Sequence, residues 1–107
     1  MKIGKVVGNV VATRKDERLR GLKLLLVQTY KIDKKSGESA TLKETSDYVV
    51  AIDTVEAGAG EIVLLVSGSS ARQTDKTNGK PVDAAVIGIL EEVKFLDGDR
   101  IMLTDLY

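Results

Sequence analysis

YVVAIDTVEAGAGEIVLLVSGSSAR, residues 48–72, decides how the chain is read. Two apolar, β-branched runs flank a short glycine-bearing segment, the pattern of a strand, a tight reversal and a second strand. Gly58 and Gly60 bracket Ala59, and glycine takes the positive φ of a tight reversal without steric cost. The stretch therefore predicts a hairpin. Beyond it, Gly68, Ser69 and Ser70 open a short helix to about residue 74, with Ser69 or Ser70 as its cap.

Working outward, residues 1–12 read as a strand, and Gly4 and Gly8 inside it mark a bend, a bulge or a close backbone approach. A polar link follows at 13–20. The run LKLLLVQTY at 22–30 is a second strand, too short and too closely bounded by turn signals for a helix. Residues 31–47 read as a solvent-exposed excursion turning at 34–37, with a strand extension near 40–42. After the loop 75–80 and Pro81, residues 84–95 form another strand. Asp97-Gly98 turns the chain into a short last strand at 101–103. Evenly spaced short strands without a linker predict one domain over 1–107: an all-β, small barrel or sandwich with one short helix.

Composition removes most chemistry. There are 16 basic and 16 acidic residues, so no net field draws the chain to nucleic acid or anionic lipid. Without cysteine there is no disulfide, thiolate metal site or thiol nucleophile; without histidine there is no imidazole base or ligand. An enzyme is not expected, and neither is a metal or cofactor. No apolar run reaches the roughly 20 residues of a membrane span, and no secretion signal opens the chain, so the expected location is cytoplasmic.

Three strand centres, LKLLLV, EIVLLV and AAVIGIL, fail to alternate apolar with polar residues. A small barrel buries only its inward face, so outward valines and leucines need a second surface. The pattern predicts a homo-oligomer.

Two segments resemble anion sites. Gly58, Ala59, Gly60 and Glu61 lack the third glycine and following helix of a dinucleotide loop, and a turn is the better reading. Gly68 to Arg72 offers amides, two hydroxyls and a guanidinium. A helix cap, with Arg72 paired to a carboxylate within the chain or across a subunit boundary, accounts for the same residues. Glu91 and Glu92 are neighbours on a strand and point to opposite faces. Basic residues cluster at Arg14, Lys15, Arg18, Arg20 and Lys23, but one Phe, three Tyr and no Trp are few for stacking bases. An OB-type module binding single-stranded nucleic acid or an anionic ligand is the alternative function.

Four blocks in order, GKVVGNVVATRK (4–15), GLKLLLVQ (21–28), AIDTVEAGAGEIVLLVSGSSARQ (51–73) and PVDAAVIGILEEV (81–93), carry a resemblance. They are similar to the EutN/CcmL family, the vertex proteins of bacterial microcompartments (ethanolamine-utilisation-type metabolosomes and carboxysomes). The resemblance implies a small OB-like β-barrel assembling as a cyclic homopentamer. Such a pentamer caps the five-fold vertices of a shell otherwise tiled by hexameric shell proteins. It implies no catalytic residue and no cofactor. It places Glu56, Gly58, Ala59, Gly60, Glu61, Ser69, Ser70 and Arg72 as subunit-interface or axis candidates. The family commonly has glycine where this chain has Glu56.

Overall fold

The computed structural model describes residues 1–106. Five strands, β1 (Lys2–Val10), β2 (Leu24–Asp33), β3 (Thr41–Asp53), β4 (Ile62–Ser67) and β5 (Ala84–Ile89), close a barrel in the order β1-β2-β3-β5-β4. Strands β6 (Glu92–Lys94) and β7 (Arg100–Met102) form a separate two-stranded hairpin, turning at Asp97-Gly98 as expected. The helical content is confined to 3₁₀ turns at Glu17–Leu19, Gly68–Arg72 and Leu103–Leu106. The all-β barrel read from the sequence is the fold observed.

The predicted hairpin at 48–72 is not one. Strand β5 lies between β3 and β4, parallel to β3 at Ile52↔Ala85 and Asp53↔Val86 and antiparallel to β4. The loop 54–61 instead crosses the barrel mouth, and its hydrogen bonds explain why. The buried Asp53 carboxylate accepts from Val55 N at 3.1 Å and Ala57 N at 3.2 Å, an Asx-type turn that bends the chain away from β5. Ala57 is buried in the barrel core. Gly60 N then donates to Val6 O at 2.8 Å, and Val6 N to Glu61 O at 3.0 Å, delivering the chain to β1's flank. Gly60 has the expected positive φ, +86°, but Gly58 does not; the second left-handed residue is Glu56, at φ +57°.

The hairpin that does form is β2–β3. Pairs from Leu24↔Ile52 to Asp33↔Thr41 make a long ribbon, so most of the predicted excursion is strand. Its outer part carries Tyr30, Ile32 and Leu42 on one face and Lys31, Asp33, Thr41 and Lys43 on the other, with a Lys43–Asp33 ion pair at 2.8 Å. The ribbon contributes to a molecule measuring 51 × 23 × 21 Å. The predicted strand 84–95 breaks after Ile89, where Leu90 N donates to Ile62 O at 2.8 Å.

Gly4 is a close approach. A Cβ there would meet the Val27 side chain and come within 2.9 Å of Gln28 O. The ladder shifts register between Val6 and Gly8, so Gly8 faces the outer side, under Leu26.

Two apolar clusters account for the strands that fail to alternate. Val6, Leu25, Val27, Ala51, Val63, Leu65 and Val86 fill the barrel. On the outside, Ile52, Val66 and Ala85 pack under Ala71 and Val82, with Leu19, Leu22 and Leu24 against them. Part of the outward apolar surface is thus covered by the chain's own turns and loops rather than by a neighbour.

Candidate functional site

The sequence-derived candidates fall into three places. Glu56 is exposed at the edge of a surface hollow bordered by Gly21, Leu22, Lys23, Asp53 and Lys76. Its side chain makes no hydrogen bond or ion pair with another described residue. Gly58 N donates to the Glu61 carboxylate, closing the loop on itself beside exposed Ala59, while Gly60 and Glu61 are tied to β1. A length of β4 separates this group from Ser69, Ser70 and Arg72. The structure does not converge these residues on one pocket.

The turn at Gly68–Arg72 differs from the expected cap. Its N-cap is Ser67, whose side chain makes no capping bond, and Ser69 and Ser70 are exposed. The turn is held by the backbone, through Gly68 N to Asp83 O at 2.8 Å, and by buried Ala71. Gly68 at φ +66° is what allows that entry. Arg72 Nη1 reaches Val82 O at 3.3 Å and pairs with no described carboxylate. A guanidinium half-used in the protomer retains donors for another surface.

The alternative chemistry finds no support in the geometry. Glu91 is exposed, whereas Glu92 is half-buried and paired with Lys94 at 3.7 Å and Arg100 at 3.4 Å; the two share no site. In the basic link, Arg18 holds the Asp16 carboxyl down to about 2, and Arg20 pairs with Glu17 at 3.0 Å. Of the basic cluster, Arg18 and Arg20 are thus paired within the link, while Arg14, Lys15 and Lys23 are in no ion pair with a described residue. Among the described aromatics, Tyr30 is half-buried and Phe95 lies under Lys34 Nζ at 5.3 Å, leaving Tyr48 exposed without a stacking partner. Among the described residues no cluster of acidic side chains is placed to hold a metal, and no helix is long and apolar enough to cross a membrane.

Two features escaped the sequence reading. One is a clasp at the ribbon tip. Lys34 Nζ donates to Asp99 Oδ2 at 2.9 Å, Asp97 Oδ2 at 3.1 Å and Glu38 O at 2.7 Å, and Ala40 N donates to Asp99 Oδ2 at 2.7 Å. Hydrogen bonding from Lys34 and then Ala40 N pulls the Asp99 carboxyl below the usual range. The Asp99 amide, then Lys34, does so for Asp97; Asp99 in turn raises Lys34. No spacing rule links position 34 to 97 and 99, so the sequence carried no signal for it. The other is the seam where β3 and β5 diverge. An open, mostly apolar hollow lies there, lined by Leu19, Leu24, Val50, Ile52, Pro81, Val82 and Ala84, with Asp83 at its wall. The exposed apolar residues Val50 and Tyr48 lie on β3, whose pairing with β5 stops at Ile52.

What the chain resembles can be set beside this geometry. The profile of the family described as "Ethanolamine utilisation protein EutN/carboxysome" matches residues 1–91. A bacterial microcompartment shell vertex protein, GrpN of Rhodospirillum rubrum, is 45% identical over 94 residues, covering 88% of this chain and 97% of that protein. The carboxysome shell vertex protein CcmL of Thermosynechococcus vestitus is 43% identical over 93 residues, covering 87% of this chain and 86% of its own length. Among solved structures, the GrpN pentameric microcompartment shell protein from Rhodospirillum rubrum superimposes with a TM-score of 0.73. It does so at 42% identity, over 90% of this chain and all of that one (100%).

Proposed function

The chain belongs to the EutN/CcmL family, and on that premise we propose that it is the pentameric vertex piece of a bacterial microcompartment shell. The observation that carries the reading is the match to vertex proteins at 45% identity along nearly their whole length, on a barrel that superimposes on a pentameric relative. The protein is structural and not an enzyme. Its partners are its own copies and the shell around them.

A sheet of six-fold tiles closes only where five-fold units introduce curvature, and a ring of five barrels supplies that unit. We take the adjoining tiles to be hexameric shell proteins and the working location to be the shell in the cytoplasm. Ring contacts are heterologous: each copy presents two unlike surfaces, one to each neighbour. Exposed Glu56, Ala59, Ser69, Ser70 and Arg72 are available to such contacts, and Gly58, Gly60 and Glu61 shape the loop beside them. Co-expression with hexameric shell proteins tests the role. Closed particles are expected with this chain, and tubes or open sheets without it. Equal closure in its absence would refute the vertex assignment.

A further inference from the structure

The seam beside β3 is an incomplete sheet. Asp53 N donates to Lys23 O at 3.0 Å, which makes Asp53↔Lys23 a hydrogen-bonded pair. By antiparallel alternation Ala51 and Val49 also turn their backbone groups to β2. Ile52, Val50 and Tyr48 turn theirs the other way. Ile52 meets β5, but β5 pairs with β3 only at Ile52 and Asp53, so the amides and carbonyls of Val50 and Tyr48 face an open edge. The apolar hollow adjoins that edge at Val50 and is about 180 Å³. That is below the roughly 300–1,000 Å³ of small-molecule sites, and it suits a side chain.

At the far end of the ribbon stands a matching projection. Leu96, at the tip of the β6–β7 hairpin, is fully exposed, and the Lys34 clasp holds that tip against residues 34–40. The hairpin is not part of the barrel sheet, so its β6 edge is open too, whereas on β7 Arg100 N is taken up by Asp99 Oδ1 at 2.9 Å. The charges also match. On β3, Glu44 and Asp47 are exposed and in no ion pair with a described residue. On the hairpin, Lys94 and Arg100 are exposed and share the single carboxylate of Glu92.

We propose that the β6–β7 hairpin of one copy adds to the open β3 edge of the next, with Leu96 seated in the hollow beside Val50. Strand addition supplies main-chain hydrogen bonds, and the hollow supplies selectivity for the side chain. With Leu96 seated, Lys94 and Arg100, which face each other across the hairpin, lie level about two strand positions behind the tip, within side-chain reach of Asp47. A protomer cannot satisfy its own seam. The clasp fixes Leu96 beside the ribbon tip, about 25–30 Å of strand from Val50. Because the clasp orders the hairpin in advance, docking loses little conformational entropy. The inference rests on the ring reading above.

The chain has no cysteine, so a crosslink can be placed at will. Purified Leu96→Cys/Val50→Cys protein, oxidised and run without reductant, should give a covalent ladder ending at the closed ring. Each single variant should stop at dimers. Leu96→Ser should weaken subunit association roughly tenfold or more while leaving the circular dichroism unchanged, since it removes burial made only between copies. A double variant that native mass spectrometry shows as a ring, yet that gives no ladder, overturns this inference alone. A wild-type chain that stays monomeric overturns both this inference and the ring reading.

Discussion

Replacing Glu56 with glycine should stabilise the protein. Glu56 sits at φ +57° at the barrel mouth, where the loop leaves the Asp53 turn. Left-handed backbone costs a residue with a Cβ about 1–2 kcal/mol. Glycine removes that cost and returns about 0.5–1 kcal/mol through its freer unfolded chain. The side chain is exposed and forms no hydrogen bond or ion pair with a described residue, so the substitution forfeits no contact. The net gain is about 0.5–1 kcal/mol, or about 2–6 °C in Tm for a domain of this size. Thermal unfolding should be compared at equal chain concentration, because assembly adds to apparent stability. Glu56→Ala is the control: it removes the charge, keeps the Cβ and should change Tm little. A Glu56→Gly protein no more stable than wild type refutes the strain argument. An equal gain from Glu56→Ala would assign the effect to charge.

Other perturbations test separate parts of the account. Gly4→Ala places a methyl against Val27 and within 2.9 Å of Gln28 O; chemical denaturation should show a loss of about 3 kcal/mol, and wild-type stability would mean that β1 and β2 are not this close. Arg72→Ala removes one long, partly buried bond to Val82 O, so fold stability should fall by about 1 kcal/mol or less; a larger loss confined to the assembled state would identify a partner on a neighbouring copy. The clasp should open in acid. Asp97 and Asp99 have folded pKa values below 3.8, so their contribution is present above about pH 4 and lost as pH falls through the lowered values. Lys34 is raised above 10.5, so its contribution is complete below that pH and is lost only on strongly alkaline titration. Carboxyl NMR titration should find both aspartates below the usual range in wild type and raised toward it in Lys34→Met, Asp99 more than Asp97 because the Asp99 amide still holds Asp97 down; unshifted values in wild type would remove the clasp.

The sequence shows clearly where strands lie and less clearly how they pair. The runs in β1, β2, β4 and β5 are apolar because the barrel interior and an outer cluster both demand it, and β-branching and turn residues bound them. Pairing is another matter. The 48–72 stretch reads as a hairpin because nothing local reveals that β5 will enter between its halves; that depends on Asp53 capturing Val55 N and Ala57 N and on Val6 capturing the far end of the loop. The outer ribbon of β2–β3 is hidden for a different reason: Tyr30, Ile32 and Leu42 are too few, and too much interrupted by polar residues, to read as a strand pair. Glu56, without explanation as a sequence feature, has one in the backbone, since the position commonly glycine in the family is left-handed here. The candidate site is legible only in outline. Exposure of Ser69, Ser70 and Arg72 follows from the polar turn, but the seam at Val50 and the projection at Leu96 are long-range consequences of topology.

The ring itself is the central claim, and native mass spectrometry of the purified wild-type chain at micromolar concentration tests it most directly. The account predicts one dominant species of five copies of the 11.5 kDa chain. A monomer, or a closed ring of any other number, would contradict it.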